Sequence, residues 1–341
     1  MYIAACHADN FYQYNVSEEG YVFHSYGSQE YVSHVVASIV TLRRHDTKRQ
    51  VALWCPLSHR ELIERHGLSN LFSVIAELPD AHCSNLGFKL HLDRFMPFDR
   101  CLFVDADMVW CRDPDPLWTQ LSVYPFTATG VERADFYFGG PKGIAVALDI
   151  LRDRRRKTLR AFGLTHLPRV QAGMIYAQDH ALTQEICAAA NGFWARHEET
   201  HFRTRRREGR SEESCEWSLA MAMSERALPV YPWHQGHNSP QLDYIEGMTE
   251  YSKDFETVTC TYWCDRFIYE IRGIPNVRIR GLLLSVLASL LRRRDYLKAT
   301  PFALHFSWLH AKEPFHAFAR RTWEHLTRSK VNQPETVAAK S

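Results

Sequence analysis

The chain has 341 residues, with 41 Lys and Arg against 39 Asp and Glu for a formal charge of +2, and it is 45% hydrophobic and 23% charged. That length suits one large α/β domain with additions or two modest domains, the composition is ordinary for a folded chain, and the charge balance argues against a dedicated nucleic-acid binder. Basic residues cluster at Arg152 to Lys157, Arg203 to Arg210 and Arg292 to Arg294, runs that read first as solvated faces.

Nine cysteines at irregular spacing suggest reduced thiols, and Cys260 with Cys264 lacks a second pair that would complete a zinc pattern. The start, Met1 to Asp9, has no basic opening and too short an apolar run for a secretory signal. No stretch approaches the length of a membrane span, so the expected location is cytoplasmic. Leu282 to Leu291 is the most apolar segment and ends in three arginines. It reads as a buried or amphipathic helix, with peripheral contact at the inner membrane face through Leu282 to Arg294 as the minority reading.

Residues 1–19 read as an N-terminal extension. Tyr21 to Ser25 reads as a strand, and Tyr31 to Arg44 as a helix whose apolar face carries Val32, Val35, Val36, Ile39, Val40 and Leu42. Gln50 to Cys55 is a second strand ended by Pro56. Ser58 to His66 suits a helix with Ser58 as N-cap and Glu61 three residues on. A third strand lies within Leu71 to Leu78. Alternating strands and helices imply a mostly parallel sheet with helices on its faces.

A helix over Gly87 to Phe95 carries Lys89, then Cys101 to Val104 forms a short buried strand that runs straight into Asp105 and Asp107. In an extended chain, residues two apart project to one side, so both carboxylates are expected in one pocket at the carboxyl end of a strand, where open α/β sheets bind ligands. Two anions that close are costly unless a cation lies between them. A divalent metal and a phosphorylated substrate follow as the functional reading. An Asp turn with surface residues is the alternative.

Asp113 to Trp118 reads as a turn into a helix, Pro125 to Val131 as a strand, and Ala145 to Phe162 as a helix with a basic outer face. Arg169 to Ala177 is a strand in which Gly173 suggests a close backbone approach. Thr183 to Trp194 is helical, Glu198 to Glu213 a mobile loop, and Ser214 to Met223 a helix with Glu216 near its start. Between Pro240 and Tyr296 no strong signal appears beyond the apolar helix. Phe302 to Trp308 is a short strand holding His305, followed by Lys312 and a C-terminal helix.

Four stretches together resemble a GT-A glycosyltransferase of family eight, the glycogenin and bacterial lipopolysaccharide galactosyltransferase type. They are Tyr21 to Pro56, Lys89 with Asp99 to Trp118, Gln171-Ala-Gly-Met174, and His305 to Pro314. The resemblance implies a Rossmann-like GT-A α/β fold with a mostly parallel central sheet and helices on both faces. It divides the chain into an extension (1–19), a nucleotide-sugar and metal-binding core (20–235), a C-terminal part with acceptor-side additions and the late His motif (236–325), and a polar tail (326–341).

Carried over by the same resemblance, Asp105, Asp107 and His305 would hold Mn²⁺ or Mg²⁺, a donor set that hard oxygens plus one imidazole suit chemically. Lys89 and Lys312 would meet the diphosphate of a nucleotide-diphosphate sugar, expected to be a UDP-sugar. Tyr31 would stack on the base, with Ser25, Tyr26, Gly27 and Ala106 approaching the nucleotide. Gln171 stands where the family has Asn, and Glu216 stands in the region of an Asp-Gln motif. These two are the catalytic candidates, Glu216 for orienting the acceptor or stabilising positive charge at the anomeric carbon. The acceptor would be a glycan, a lipid-linked glycan or a protein, and transfer would retain anomeric configuration. Two alternatives stay open: a nucleotidyltransferase, whose usual Gly- and basic-rich phosphate loop is not matched by Tyr26 to Glu30, and a non-catalytic sugar-nucleotide-binding protein of the same fold.

Overall fold

The computed structural model describes residues 18–132, 151–202, 213–263, 296–307 and 311–331, with a few single positions between 276 and 286. Seven strands form its main sheet: β1 (Glu19–His24), β2 (Gln50–Cys55), β3 (Val74–Glu77), β4 (Arg100–Val104), β6 (Phe126–Val131), β7 (Arg169–Ala177) and β8 (Tyr231–Pro232). Their order is β3-β2-β1-β4-β7-β6-β8. All pairings are parallel except those of β7, which runs against both β4 and β6. The expected α/β fold with a mostly parallel sheet is present.

Alternation along each strand sends side chains to two separate cores. On one face, Tyr21, Phe23, Val51, Leu53, Leu102 and Val104 pack against α1 (Glu30–Arg43), α2 (Leu57–Arg65) and α4 (Asp115–Leu121). On the other, Val22, Trp54, Cys101 and Phe103 pack against α3 (Asn85–Lys89), α6 (His180–Ala195) and α7 (Glu216–Glu225). Helix α5 (Arg154–Ala161) lies between β6 and β7 in sequence. Helices thus cover both faces.

Several local expectations shift. Helix α2 begins at Leu57 with Pro56 as N-cap and makes no side-chain cap bond, so Ser58 does not cap it. The helix around Lys89 is five residues long, capped by Ser84 Oγ accepting from Gly87 N–H, and a separate 3-10 turn follows at Leu92–Arg94. Asp153 at φ +48 interrupts the basic helix, which resumes at Arg154; residues 145–150 lie outside the described residues. The loop after α6 starts buried, because Thr200, His201 and Phe202 pack inward; 203–212 lie outside the described residues. The last helix, α8 (Glu313–Val331), continues into the stretch read as a tail.

The stretch between Pro240 and Tyr296 holds more order than its sequence signals. Strand β9 (Gln241–Asp243) joins β5 (Met108–Trp110) and β13 (Ala303–His305) in a second sheet. Strands β10 (Thr249–Tyr251), β11 (Val258–Trp263) and β12 (Tyr296–Ala299) form a third, antiparallel one. Each is short, and β9 and β10 have three residues, too few for alternation to register as a pattern.

Candidate active site

The two acidic residues follow β4 directly, and a tight turn rather than an extended run brings them together: Ala106 and Asp107 are turn residues, and β5 begins at Met108. Asp105 N–H donates to Gly173 O on β7 at 2.9 Å, fixing the start of the turn. A Cβ on Gly173 would come within 2.7 Å of Met108 Cε and 2.8 Å of Gln171 Oε1, so the close approach expected there is real. Beyond the turn, β5 pairs antiparallel with β13, setting His305 opposite Met108, and Phe306 N–H donates to Asp107 O at 3.0 Å. This pairing carries His305 across nearly two hundred residues of sequence to the acids. His305 Nε2 lies 3.3 Å from Asp107 Oδ1 and 3.7 Å from Asp105 Oδ2.

Each carboxylate also has a lysine. Lys89 Nζ is 2.7 Å from Asp105 Oδ1, and Lys312 Nζ is 2.5 Å from Asp107 Oδ2. Burial disfavours charge on Asp107, Lys89 and Lys312, and the pairing overcomes it. Asp107 is held well below the usual carboxylate range, against burial, by Lys312 and His305. Lys89 and Lys312 are raised, against burial, chiefly by Asp105 and by Asp107 respectively. Burial likewise opposes charge on His305, yet Asp107 and Asp243 raise it to about 10.

Donor atoms from Asp105, Asp107 and His305 all lie within 4.8 Å of one another. Two carboxylates and one imidazole nitrogen converging at that distance fit a divalent cation of the Mn²⁺ or Mg²⁺ type. Without an ion, the lysines and the protonated imidazole supply the positive charge at that point, and an ion would take the place of the proton on Nε2.

Behind the imidazole lies a layer of which sequence reasoning singled out Gln171 alone. Asp243 is buried on β9, directly opposite His305 in the β9–β13 register, with Oδ1 3.2 Å from His305 Nδ1. Ser307 Oγ donates to the same carboxylate at 3.1 Å. Gln171, on β7, places Nε2 2.8 Å from His305 Nδ1, while its Oε1 accepts from Gly173 N–H at 2.9 Å and from Gln241 Nε2. Gln241 Nε2 also reaches Thr129 Oγ1, which donates to Gln171 O at 2.7 Å. The only sequence signal was a polar residue at each end of Gln241-Leu-Asp243, too brief to read as a strand facing the site.

From the acids the cleft extends as a cavity of about 520 Å³. It gathers Ser25, Tyr26, Tyr31, Lys89, Asp105, Ala106, Asp107, Gln171, Glu216, His305 and Lys312. Gly27 is not among its lining residues; it turns at φ +75 on the exposed rim, and its carbonyl faces His59 Nε2 at 3.2 Å. His59 Nδ1 also meets Ser25 Oγ at 3.0 Å, so this histidine braces the loop after β1.

Tyr31 is 46% exposed, its ring near-parallel to Tyr26 with centroids 6.3 Å apart. His24 and His34 line the cleft as well. Burial, with Lys89 nearby, lowers His24 to about 3, and burial with His316 lowers His34 to about 4, so both are neutral imidazoles. Glu213, Ser214, Cys215 and Glu216, where the chain enters α7, also line the cleft, as does Asn85 on α3.

No family model matches the chain, and no curated protein sequence does. Similar solved structures include a galactosyltransferase, LgtC, in complex with donor and acceptor sugar analogs, at 11% identity and a TM-score of 0.48, covering 93% of this chain and 98% of that one. Another is the glycosyltransferase GlyE of Streptococcus pneumoniae TIGR4, at 10% identity and a TM-score of 0.48, covering 93% of this chain and 64% of that one. Mouse xyloside xylosyltransferase 1 in its apo form follows at 10% identity and a TM-score of 0.42, with 66% and 88% covered. At such identities and scores, what the cleft does has to be read from its own residues.

Proposed function

We propose that this chain is a metal-dependent glycosyltransferase that moves a sugar from a nucleotide-diphosphate sugar, a UDP-sugar, to a hydroxyl acceptor with retention of configuration. The observation that carries the reading is the convergence of Asp105, Asp107 and His305 within 4.8 Å, in a cleft that also holds the buried Lys89 and the half-buried Lys312. Retention and the uridine base come from the family resemblance.

In this reading Asp105, Asp107 and His305 Nε2 hold Mn²⁺ or Mg²⁺, which when bound supplies Lewis-acid neutralisation of charge on the departing nucleoside diphosphate. Lys89 and Lys312 then serve diphosphate oxygens, as compact point charges on flexible stems. Tyr31 offers its exposed ring to the base, and Ser25, Tyr26 and Ala106 line the nucleotide's path. Glu216, at the start of α7 in the cleft lining, orients the acceptor hydroxyl or stabilises positive charge at the anomeric carbon. Gln171 acts through His305 and the β7 backbone it braces.

The test is a panel of sugar nucleotides assayed for hydrolysis and transfer with Mn²⁺ and with chelator. Release of nucleoside diphosphate that stops in chelator supports the reading. Pyrophosphate as product would make the protein a nucleotidyltransferase, and metal-independent nucleotide binding without turnover would make it a binding protein.

A membrane-linked acceptor belongs to the same proposal. Ile279, Leu282, Leu283 and Val286 are helical and between 37% and 64% exposed, recurring at spacings of three, one and three as on one helix face. Arg292 to Arg294 follow in sequence, which fits an anionic lipid surface. Among the described residues no helix is long and apolar enough to cross a membrane. Sedimentation with vesicles containing phosphatidylglycerol should carry the protein down, and Leu282→Glu with Leu283→Glu should leave it in the supernatant.

A further inference from the structure

We infer that Asp243 is a positioning residue that selects the His305 tautomer able to hold an ion, and that Gln171 favours the opposite tautomer. The inference rests on the metal reading above and adds residues to it. Two groups compete for one ring nitrogen: Asp243 Oδ1 at 3.2 Å from His305 Nδ1, and Gln171 Nε2 at 2.8 Å. Their chemistry is opposite. An ionised carboxylate only accepts hydrogen bonds, whereas the amide nitrogen only donates.

The Gln171 amide cannot simply turn over. Its Oε1 accepts from the Gly173 backbone N–H at 2.9 Å, a group that has no acceptor to offer, and from the amide of Gln241. Nδ1 carrying a proton therefore suits Asp243, and Nδ1 carrying a lone pair suits Gln171. Without an ion the ring is held as imidazolium with a proton on each nitrogen; an ion displaces one of them, and the neutral imidazole that ligates has one proton to place. On Nδ1 it leaves the Nε2 lone pair facing Asp105 and Asp107; on Nε2 it blocks that nitrogen from ligating.

A histidine that binds a metal commonly donates its other ring N–H to a carboxylate, which fixes tautomer and ring orientation. Asp243 is built for that task. The β9–β13 register sets it opposite His305, its side chain is 3% exposed, and Ser307 Oγ donates to it.

The experiment titrates Mn²⁺ into the full chain by calorimetry at one pH and reads imidazole-nitrogen coupling to bound Mn²⁺ by pulsed EPR. Asp243→Asn should weaken Mn²⁺ binding about 10- to 100-fold and diminish the nitrogen coupling. Gln171→Leu should bind Mn²⁺ no more weakly than wild type. An Asp243→Asn protein with wild-type affinity and coupling overturns the inference, as does an equal loss in Gln171→Leu. Wild type that binds Mn²⁺ with no nitrogen coupling, or binds none, overturns the metal reading along with it.

Should Asp243→Asn fail to fold, nitrogen NMR of the wild-type protein loaded with Zn²⁺ as a diamagnetic stand-in decides the matter, with the His305 signal identified by its loss in His305→Asn. Zn²⁺ on Nε2 with a proton on Nδ1 supports the inference. Zn²⁺ on Nδ1 overturns it.

Discussion

Two clusters of charge sit at opposite ends of the same sheet, and they are built from different parts. At the amino ends of β1 and β2, Arg49 bonds Glu19 at 2.6 Å, Asp46 at 2.9 Å and Asp115 at 2.7 Å, and Tyr21 Oη donates to Asp46 at 2.7 Å. Asp46 also accepts from the backbone N–H of Lys48 and Arg49. At the carboxyl ends, Asp105 and Asp107 each meet one lysine and share one imidazole. A planar guanidinium fork and backbone donors hold fixed geometry, whereas an ammonium is a point charge that can turn to another anion. The first cluster therefore locks the sheet. The second can exchange its cations, and it opens onto a cavity.

The largest effect that would break this contrast is on activity. Asp107→Asn keeps the shape of the side chain and removes its charge, so sugar-nucleotide turnover should fall by about a thousandfold, as expected when a main electrostatic element of a transition state is lost. Steady-state assays in Mn²⁺ check it, and near wild-type turnover would remove the metal role. Asp46→Ala should do the reverse. Arg49 keeps Glu19 and Asp115, but Tyr21 and two backbone N–H groups lose their acceptor, which costs about 1–3 kcal/mol; a denaturant melt would register this, while the Mn²⁺ affinity of the folded protein stays unchanged.

How far the sequence spoke follows the same division. β2, β4, β6 and β7 fall within a residue of the stretches their apolar runs mark, and β1 begins two residues early, at Glu19 inside the stretch read as an extension; each is long enough for its pattern to show. Asp105, Asp107, His305, Lys89 and Lys312 were singled out and do share one cleft, although the acids meet through a turn and not through an extended run. Asp243, Gln241 and Thr129 were not legible. Their roles arise from β9 and β6 being brought beside β13 and β7, and nothing local in a three-residue strand announces its partner. Gln171 was read as a catalytic candidate, but its side-chain bonds go to His305, Gly173 and Gln241.

A smaller effect concerns pH. His24 is stacked on Phe88, centroids 4.4 Å apart, its Nδ1 has no hydrogen-bond partner among the described residues, and it is lowered from 6.5 to about 3 by burial and Lys89. A lowered folded value means the unfolded chain takes up the proton first. The stability tied to neutral His24 is whole above pH 6.5 and is lost as pH falls toward 3, by up to about 1.4 kcal/mol per pH unit. His24→Phe should flatten that part of the acid limb in denaturant melts taken across the range. An unchanged slope would show that His24 titrates normally.

The smallest expected effect sharpens the cleft's outer end. Tyr31 is 46% exposed and its ring is edge-on to His34, centroids 5.4 Å apart, so its removal empties little of the core. If its face receives a base, Tyr31→Ala should weaken donor binding by about 1–3 kcal/mol, the range of a base stacked on an aromatic side chain, and thermal stability should hardly move. Tyr31→Phe should retain the binding, because stacking needs the ring and not the hydroxyl. A raised KM in the alanine variant alone would assign Tyr31 to the base. Equal loss in both variants would instead make the hydroxyl the contact, turning this end of the cleft from a stacking platform into a hydrogen-bonding one.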